Sequence, residues 1–184
     1  MGNINERISD NMKKYLDYIM EQLEKLLAID SPSGFTGKVT DYLMEEYRRL
    51  GYQPEKTRKG GVLVNLGGEG NAVLTMAHVD TLGAMVAEIK DNGNLRLTRV
   101  GGLNANNVET ENCRVYTLDG RVYEGTVQLK DASIHVNGDY QKTERTFDSV
   151  EVLLDANVSS KDEVKALGIA NGSFVCLDPP TRIT

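Results

Sequence analysis

Two stretches near the start of the chain repeat apolar residues at steps of three and four, the spacing of an amphipathic helix. The first stretch carries Ile8, Met12, Tyr15, Leu16, Ile19, Leu23, Leu26 and Leu27. It is predicted to end before Pro32, because the residue before a proline disfavours helical geometry. The second carries Val39, Tyr42, Leu43, Tyr47 and Leu50, and Gly51 suits the position just after its end. Both helices are predicted to pack on a sheet.

Shorter apolar runs follow and predict strands. The runs at 61–66 and 73–76 flank a glycine-rich turn and predict a strand pair, with 73–76 buried. From Gly83 the pattern becomes a series of short strands, predicted at 85–89, 95–100, 113–118, 122–129 and 150–154. Asn92-Gly93 and Asp119-Gly120 are typical hairpin turns between them. Several short strands with almost no helix indicate a small β-barrel over residues 83–165.

The last part of the pattern predicts a short helix and one more strand. Ser159 or Ser160 caps a helix that runs to Leu167, and Gly168 ends it. The run 174–177 is predicted as a strand, which we assign to an α/β layer formed with residues 1–81.

Composition narrows the class of protein. The 184 residues carry a net charge of -6, which argues against a general nucleic-acid binder, because such a protein needs a basic face. No apolar run approaches the roughly 20 residues of a membrane span, and no signal peptide is recognisable. Cys113 and Cys176 are predicted to be buried, reduced thiols. The sequence therefore predicts a cytoplasmic protein that binds neither nucleic acid nor membrane.

The candidate chemistry centres on His78, one of two histidines. On a strand, side chains two apart share a face, so Asp80 could accept a hydrogen bond from one ring nitrogen while the other binds a metal ion. We therefore expect His78 at the carboxyl end of a buried strand, with Asp80 within hydrogen-bonding reach. Taken alone, the pattern His-x-Asp is weak, because a lone histidine is more often a hydrogen-bonded residue in or near a core.

Other candidates have weaker support. His135 has no Cys, Asp or Glu within two positions and is interpreted as structural. Ser31-Pro32-Ser33-Gly34 lacks the Gly-x-Ser-x-Gly pattern of a serine nucleophile and is interpreted as a turn and helix cap. A glycoside hydrolase needs two carboxyl groups across a cleft, and no spacing nominates such a pair.

A family resemblance joins these pieces. The run Met76-Ala77-His78-Val79-Asp80-Thr81-Leu82-Gly83-Ala84-Met85-Val86 resembles the Ala-His-Met-Asp-Glu-Ile-Gly-Phe-Met-Val signature of the tetrahedral dinuclear-metal aminopeptidases, whose members are often labelled cellulase or endoglucanase M. Ser31-Pro32-Ser33-Gly34-Phe35, Val100-Gly101-Gly102 and Gly168-Ile169-Ala170-Asn171-Gly172 match further family elements in order. Thr36, Thr81 and Ser173 stand where the family usually has acidic residues.

The resemblance implies an α/β fold: part of a zinc-peptidase-like α/β catalytic domain with an inserted small β-barrel domain. Residues 1–82 would form the first part of the catalytic domain, 83–166 the inserted barrel, and 167–184 the return towards the catalytic domain. His78 would be a metal ligand and Asp80 its catalytic partner. Two divalent ions, zinc or cobalt, would be the cofactors of a full-length member, peptides the substrates, and a homo-oligomer from dimer to dodecamer the assembly.

The family's other metal ligands and its general base lie beyond the point that matches Thr184. We therefore expect the 184-residue chain to be the amino-terminal portion of an aminopeptidase, either as a fragment of the enzyme or as a truncated homologue that has lost the chemistry. In both cases it would be inactive by itself, without stably bound metal and with apolar surface that drives association. The alternative is a non-catalytic oligomerisation or peptide-binding module built on the barrel. A glycoside hydrolase is the least favoured interpretation.

Overall fold

The computed structural model describes residues 4–179 and Thr181, with side-chain surroundings from Met12 onwards. The chain divides into two compact units. The first contains, among the described residues, 4–30, 37–79 and Thr181, and the second contains Ser31–Thr36 and Asp80–Pro179. The six residues Ser31–Thr36 therefore belong with the later part of the sequence, although helices flank them on both sides.

Two helices dominate the first unit, as the apolar spacing predicts. Helix α1 spans Ile4–Leu27 and α2 spans Gly37–Arg49. The Tyr18 hydroxyl donates to Glu46 Oε1 at 2.6 Å, which joins the two helices. Tyr42 on α2 donates in turn to Gln22 Oε1 on α1, also at 2.6 Å.

The predicted packing of both helices on a sheet is wrong for α1. Helix α2 contacts a small hairpin and buries Val39 completely. Along α1 most apolar side chains from Met12 onwards are exposed, among them Met12 at 67% and Leu27 at 49%, whereas Leu26 is half-buried. Among the described residues of the first unit, no sheet covers this face. Ile8, the first of the predicted apolar positions, lies outside the described side chains.

The strand pair predicted at 61–66 and 73–76 is also wrong. Strand β2, Val62–Leu63, pairs antiparallel with β1, Glu55–Lys56, and the Thr57 amide donates to the Gly61 carbonyl oxygen at 2.8 Å within the turn. Residues 73–76 form no strand, and Val73, Leu74 and Met76 are 87%, 70% and 87% exposed. An isolated extended segment is not stable as a strand, because its backbone polar groups need partners on a neighbouring strand.

The second unit is a closed six-stranded antiparallel barrel, which confirms the predicted small barrel. Its strands are β3 (Gly83–Ile89), β4 (Leu95–Val100), β5 (Asn112–Tyr116), β6 (Val122–Leu129), β7 (Val150–Leu154) and β8 (Phe174–Leu177). Their order around the barrel is β3-β4-β7-β6-β5-β8, and β8 also pairs with β3. The assignment of residues 174–177 to an α/β layer is therefore wrong, because β8 closes the barrel between β3 and β5.

Local turn chemistry in the barrel matches the sequence. Gly93 and Gly120 have φ of 85° and 87° in the β3–β4 and β5–β6 turns, a conformation that glycine adopts without strain. Helix α3, Lys161–Ala166, begins after Ser160, whose hydroxyl accepts from the Glu163 amide. Gly168 follows it with φ of 83°. A turn of 3-10 helix occupies Ala105–Asn107.

One apolar core fills the barrel. Its largest fully buried members include Leu95, Leu97, Leu129, Ile169, Val86, Val108, Val115, Val127, Val150 and Val152. Both cysteines are buried and reduced, as predicted. Since Cys176 pairs with Arg114 on the neighbouring strand, Cys113 and Cys176 point to opposite faces of the sheet. Burial raises the pKa of the Cys113 thiol to about 12, which keeps it protonated and unreactive.

The long connection between β6 and β7 is held to the barrel by a polar cluster. Arg145 Nε lies 2.7 Å from Glu109 Oε2, and the Tyr140 hydroxyl donates to Glu109 Oε1 at 3.0 Å. His135, interpreted as structural, is instead exposed on this connection. Within the described part of the chain, no helix has the length and apolar character that crossing a membrane requires.

Candidate metal-side site

His78 lies in the first unit, at the end of the strandless segment that follows β2. Its side chain is exposed. The prediction that it stands at the carboxyl end of a buried strand is wrong, because residues 73–76 find no pairing partner among the described residues. The predicted hydrogen bond between Asp80 and the His78 imidazole stays a prediction.

Asp80 lies in the barrel unit and is half-buried. Its carboxylate accepts a short hydrogen bond on Oδ2 from the hydroxyl of Ser33, a residue 47 positions earlier. A charged acceptor makes such a bond stronger than one between neutral groups. The hydroxyl therefore restricts the orientation of the carboxylate two residues beyond His78.

The Ser31–Thr36 segment that carries Ser33 is fixed to the barrel at both ends. At its start, the Thr81 amide donates to the Ser31 carbonyl oxygen at 2.9 Å, and Pro32 forms a parallel bridge with Thr81. At its end, the Phe35 ring packs 4.8 Å from the ring of Tyr116 and 4.8 Å from that of Phe174. Ser33 is thus held between two attachments to the barrel.

The geometry of this segment depends on one tight turn and one close approach. The Phe35 amide donates to the Pro32 carbonyl oxygen at 2.7 Å, which closes a turn through Gly34 at φ of 87°. At Gly83 a Cβ atom would lie 2.6 Å from Pro32 Cβ, so only glycine allows this contact. A Cβ atom added at Gly101 would lie 3.7 Å from Ser33 Oγ, so Gly101 is a direct neighbour of Ser33. The Ser-Pro-Ser-Gly and Val-Gly-Gly motifs, which are far apart in the sequence, therefore meet beside Asp80.

The prediction of a turn at Ser31-Pro32-Ser33-Gly34 is confirmed, but the Ser33 hydroxyl binds Asp80. Sequence reasoning missed this role of Ser33. A hydrogen bond across 47 residues leaves no periodic trace in a single sequence. The one available signal was that both residues lie in motifs that match the same family.

The donors present fit one part of a metal site. An imidazole and a nearby carboxylate are groups that divalent-ion sites use. A catalytic site generally needs at least three protein ligands, and the described residues gather no group of three His, Cys, Asp or Glu side chains suited to a metal. A metal site that used His78 and Asp80 would therefore need further ligands.

Comparison with known structures defines the class of fold. The chain superposes on an aminopeptidase from the archaeon Desulfurococcus kamchatkensis with a TM-score of 0.73 and 28% identity, over 86% of this chain and 42% of that one. It also superposes on the TET1 peptidase of Pyrococcus horikoshii with a TM-score of 0.71 and 24% identity, over 86% of this chain and 46% of that one. The fold is that of part of a TET-type aminopeptidase.

Sequence comparison gives the family. Residues 60–184 match the model of the M42 glutamyl aminopeptidase family, so the chain belongs to that family. The YhfE protein of Bacillus subtilis (strain 168) is 38% identical over 167 residues, which are 90% of this chain and 48% of that protein. The chain thus spans about half the length of the curated relative and of the solved structures that it matches. The predicted family resemblance is confirmed.

Proposed function

We propose that this chain is the amino-terminal portion of a dinuclear metal-dependent aminopeptidase that removes amino-terminal residues from peptides. The observation that carries the proposal is the family match over 60–184, a range that contains both His78 and Asp80. The aminopeptidase from D. kamchatkensis supports it, since the two chains share the fold over 86% of this one.

His78 is proposed as a metal ligand and Asp80 as the group that orients it. A neutral imidazole binds a metal through one nitrogen, and a carboxylate that accepts from the other nitrogen fixes the tautomer and the ring orientation. Two divalent ions, zinc or cobalt in this proposal, polarise the scissile carbonyl and lower the pKa of the attacking water when bound. The contribution of this chain is to present one ligand in a fixed orientation.

The proposal extends to architecture and assembly. Residues 1–82 would belong to an α/β catalytic domain, and the barrel that begins at residue 83 and is closed by β8 would be the domain inserted into it, in a cytoplasmic protein. Homo-oligomerisation is supported by the TET1 peptidase of P. horikoshii, which can assemble into a tetrahedron or a large octahedral shell. Peptides would be the substrates of the assembled enzyme.

A second candidate is a non-catalytic module for oligomerisation or peptide binding. The closed barrel favours it, because the second unit completes its own strand pairing around one core. This alternative predicts a function that survives the loss of His78.

The deciding experiment compares the complete gene product with the 184-residue chain, using aminoacyl chromogenic substrates with zinc or cobalt. We expect chelator-sensitive hydrolysis by the complete product and none by the short chain, since the described residues hold too few ligands. His78→Ala should abolish hydrolysis, whereas His135→Ala, a matched change at the other exposed histidine, should leave it intact. Hydrolysis that persists in His78→Ala would overturn the proposed ligand, and no hydrolysis by the wild-type product would favour the binding module.

A further inference from the structure

The Ser33 hydroxyl contacts the carboxylate that is proposed to orient the metal ligand. Asp80 accepts its hydrogen bond on Oδ2. A carboxylate has two oxygens and about four acceptor positions, so a hydrogen bond from Ser33 is compatible with a second one from an imidazole N–H. A fixed carboxylate can orient a histidine better than one that rotates freely.

The attachments around Ser33 show that its position is set by the barrel. Before Ser33 in the sequence, Ser31 accepts a backbone hydrogen bond from Thr81. After it, the Phe35 ring contacts the rings of Tyr116 and Phe174. Tyr116 and Phe174 lie on the paired strands β5 and β8. Because Ser31 is fully buried and Pro32 abuts Gly83, the segment has little room to shift.

We propose that Ser33 is a positioning residue for the metal centre. The barrel holds Ser33 in place, and its hydroxyl orients the Asp80 carboxylate. By orienting this carboxylate, Ser33 raises the metal affinity of the site. This inference rests on the proposed function, because it requires Asp80 to serve a metal ligand. In this inference the Ser-Pro-Ser-Gly-Phe segment does more than connect two helices. Phe35 anchors the segment to the barrel, and Ser33 on the same segment binds Asp80.

The test measures cobalt(II) affinity by equilibrium dialysis, and hydrolysis separately, in the complete gene product. We expect Ser33→Ala to weaken cobalt binding by about 10-fold, the lower end of the effect of removing an outer partner of a metal ligand. Ser33→Thr keeps the hydroxyl and should stay within about threefold of wild type, whereas Ser33→Val, equal to threonine in shape, should resemble Ser33→Ala. Ser159→Ala is the matched control, because it removes another serine hydroxyl that lies 3.3 Å from a carboxylate, in the cap of α3.

Two comparisons separate positioning from general stability. Circular dichroism melts establish that each variant is folded, and the threonine and valine variants isolate the hydroxyl even if Ser33→Ala lowers the melting temperature. In an Asp80→Ala background the effect of Ser33→Ala should vanish, because the hydroxyl acts through that carboxylate. Unchanged cobalt affinity in Ser33→Ala, equal losses in the threonine and valine variants, or the same loss without Asp80 would each overturn the inference.

The outcomes for the two proposals are distinguishable. A wild-type product that binds cobalt but hydrolyses no peptide contradicts the proposed function, while the Ser33 variants still decide the positioning role. A wild-type product that hydrolyses peptides while Ser33→Ala binds cobalt normally contradicts only the positioning role. A wild-type product that binds no cobalt overturns both.

Discussion

Glu46 shows how a single carboxylate connects two helices. It accepts from Tyr18 on α1 and, on its own helix, lies 2.5 Å from Arg49 Nη2. The Arg49 guanidinium, and then the Tyr18 hydroxyl, lower the pKa of Glu46 to about 2. Burial and the bond to Glu46 raise the pKa of Tyr18 to about 12, so the phenol remains a donor. The α1–α2 contact therefore depends on an ionised Glu46.

This pKa sets the pH range in which the contact stabilises the chain. The pKa of Glu46 is lower in the folded state than its ordinary value of 4.5, so its stabilisation is fully present above pH 4.5 and lost as pH falls through 2. We expect Glu46→Gln to lower the free energy of unfolding by about 1 kcal/mol at pH 7, and by progressively less towards pH 2. Urea unfolding followed by helical circular dichroism measures this difference.

The exposed neighbour Glu45 provides the control, since Glu45→Gln removes a carboxylate of the same helix outside this contact. A difference between wild type and Glu46→Gln that stays constant from pH 7 to pH 2 would contradict the role of ionised Glu46.

Among the paired strands of the barrel, β4 and β7 share the shortest ladder. Their ladder pairs only Leu95 with Val152 and Arg96 with Glu151. The side chain of Glu151, only 3% exposed, compensates by reaching the β3–β4 turn, where Lys90 Nζ and Asn94 Nδ2 each lie 2.6 Å from one of its oxygens. This buried carboxylate ties the hairpin to β7.

Removing one partner of such a buried pair leaves the other without compensation. We expect Glu151→Ala to lower the free energy of unfolding of the barrel by about 3 kcal/mol. The double variant Glu151→Leu with Lys90→Met should lose less, because neither charge remains. Guanidinium unfolding measures the free energy of unfolding of both variants. Equal losses of free energy in the two variants would show that the ion pair does not stabilise the contact between the hairpin and β7.

Sequence alone predicted the elements whose determinants are local. Neighbouring residues determine each of these elements, and all of them are present in the structure: the turns at Asn92-Gly93 and Asp119-Gly120, the cap at Ser160, and the helices α1 and α2. The partners of strands depend on residues far away, so the pairing of β2 with β1 and of β8 with β3 and β5 was not predictable. His78 and Asp80 could be selected from the sequence because they lie in one family motif. The hydrogen bond between Ser33 and Asp80 could not, because it joins residues that only the fold brings together.

For the whole molecule, the main consequence is the apolar surface of the first unit. The α1 face presents Met12, Leu16 and Ile19 at 57% exposure or more, and the segment 73–76 adds side chains that are more exposed still. Apolar side chains that are exposed to this extent usually lie at an interface or drive aggregation. The surface is consistent with the expectation that the isolated chain associates.

We expect the 184-residue chain to self-associate at micromolar concentration and to bind a hydrophobic dye such as ANS. Replacing Leu16 and Ile19 on α1 with lysine should shift it towards monomer, as measured by light scattering coupled to gel filtration. Asp17→Asn with Glu24→Gln, at two exposed polar positions of the same helix, is the control, because it raises the net charge as much as the two lysines do. A wild-type chain that remains monomeric without dye binding would contradict this prediction.

The position of β8 has a consequence for synthesis at the ribosome. Because β8 lies between β3 and β5, both strands keep an unpaired edge until residue 177 has emerged, although their hairpins with β4 and β6 can form earlier. An open edge is a template for pairing with another chain. The nascent barrel is thus most vulnerable to pairing with a neighbouring nascent chain during translation of the residues between β6 and β8, and a pause there would prolong that exposure.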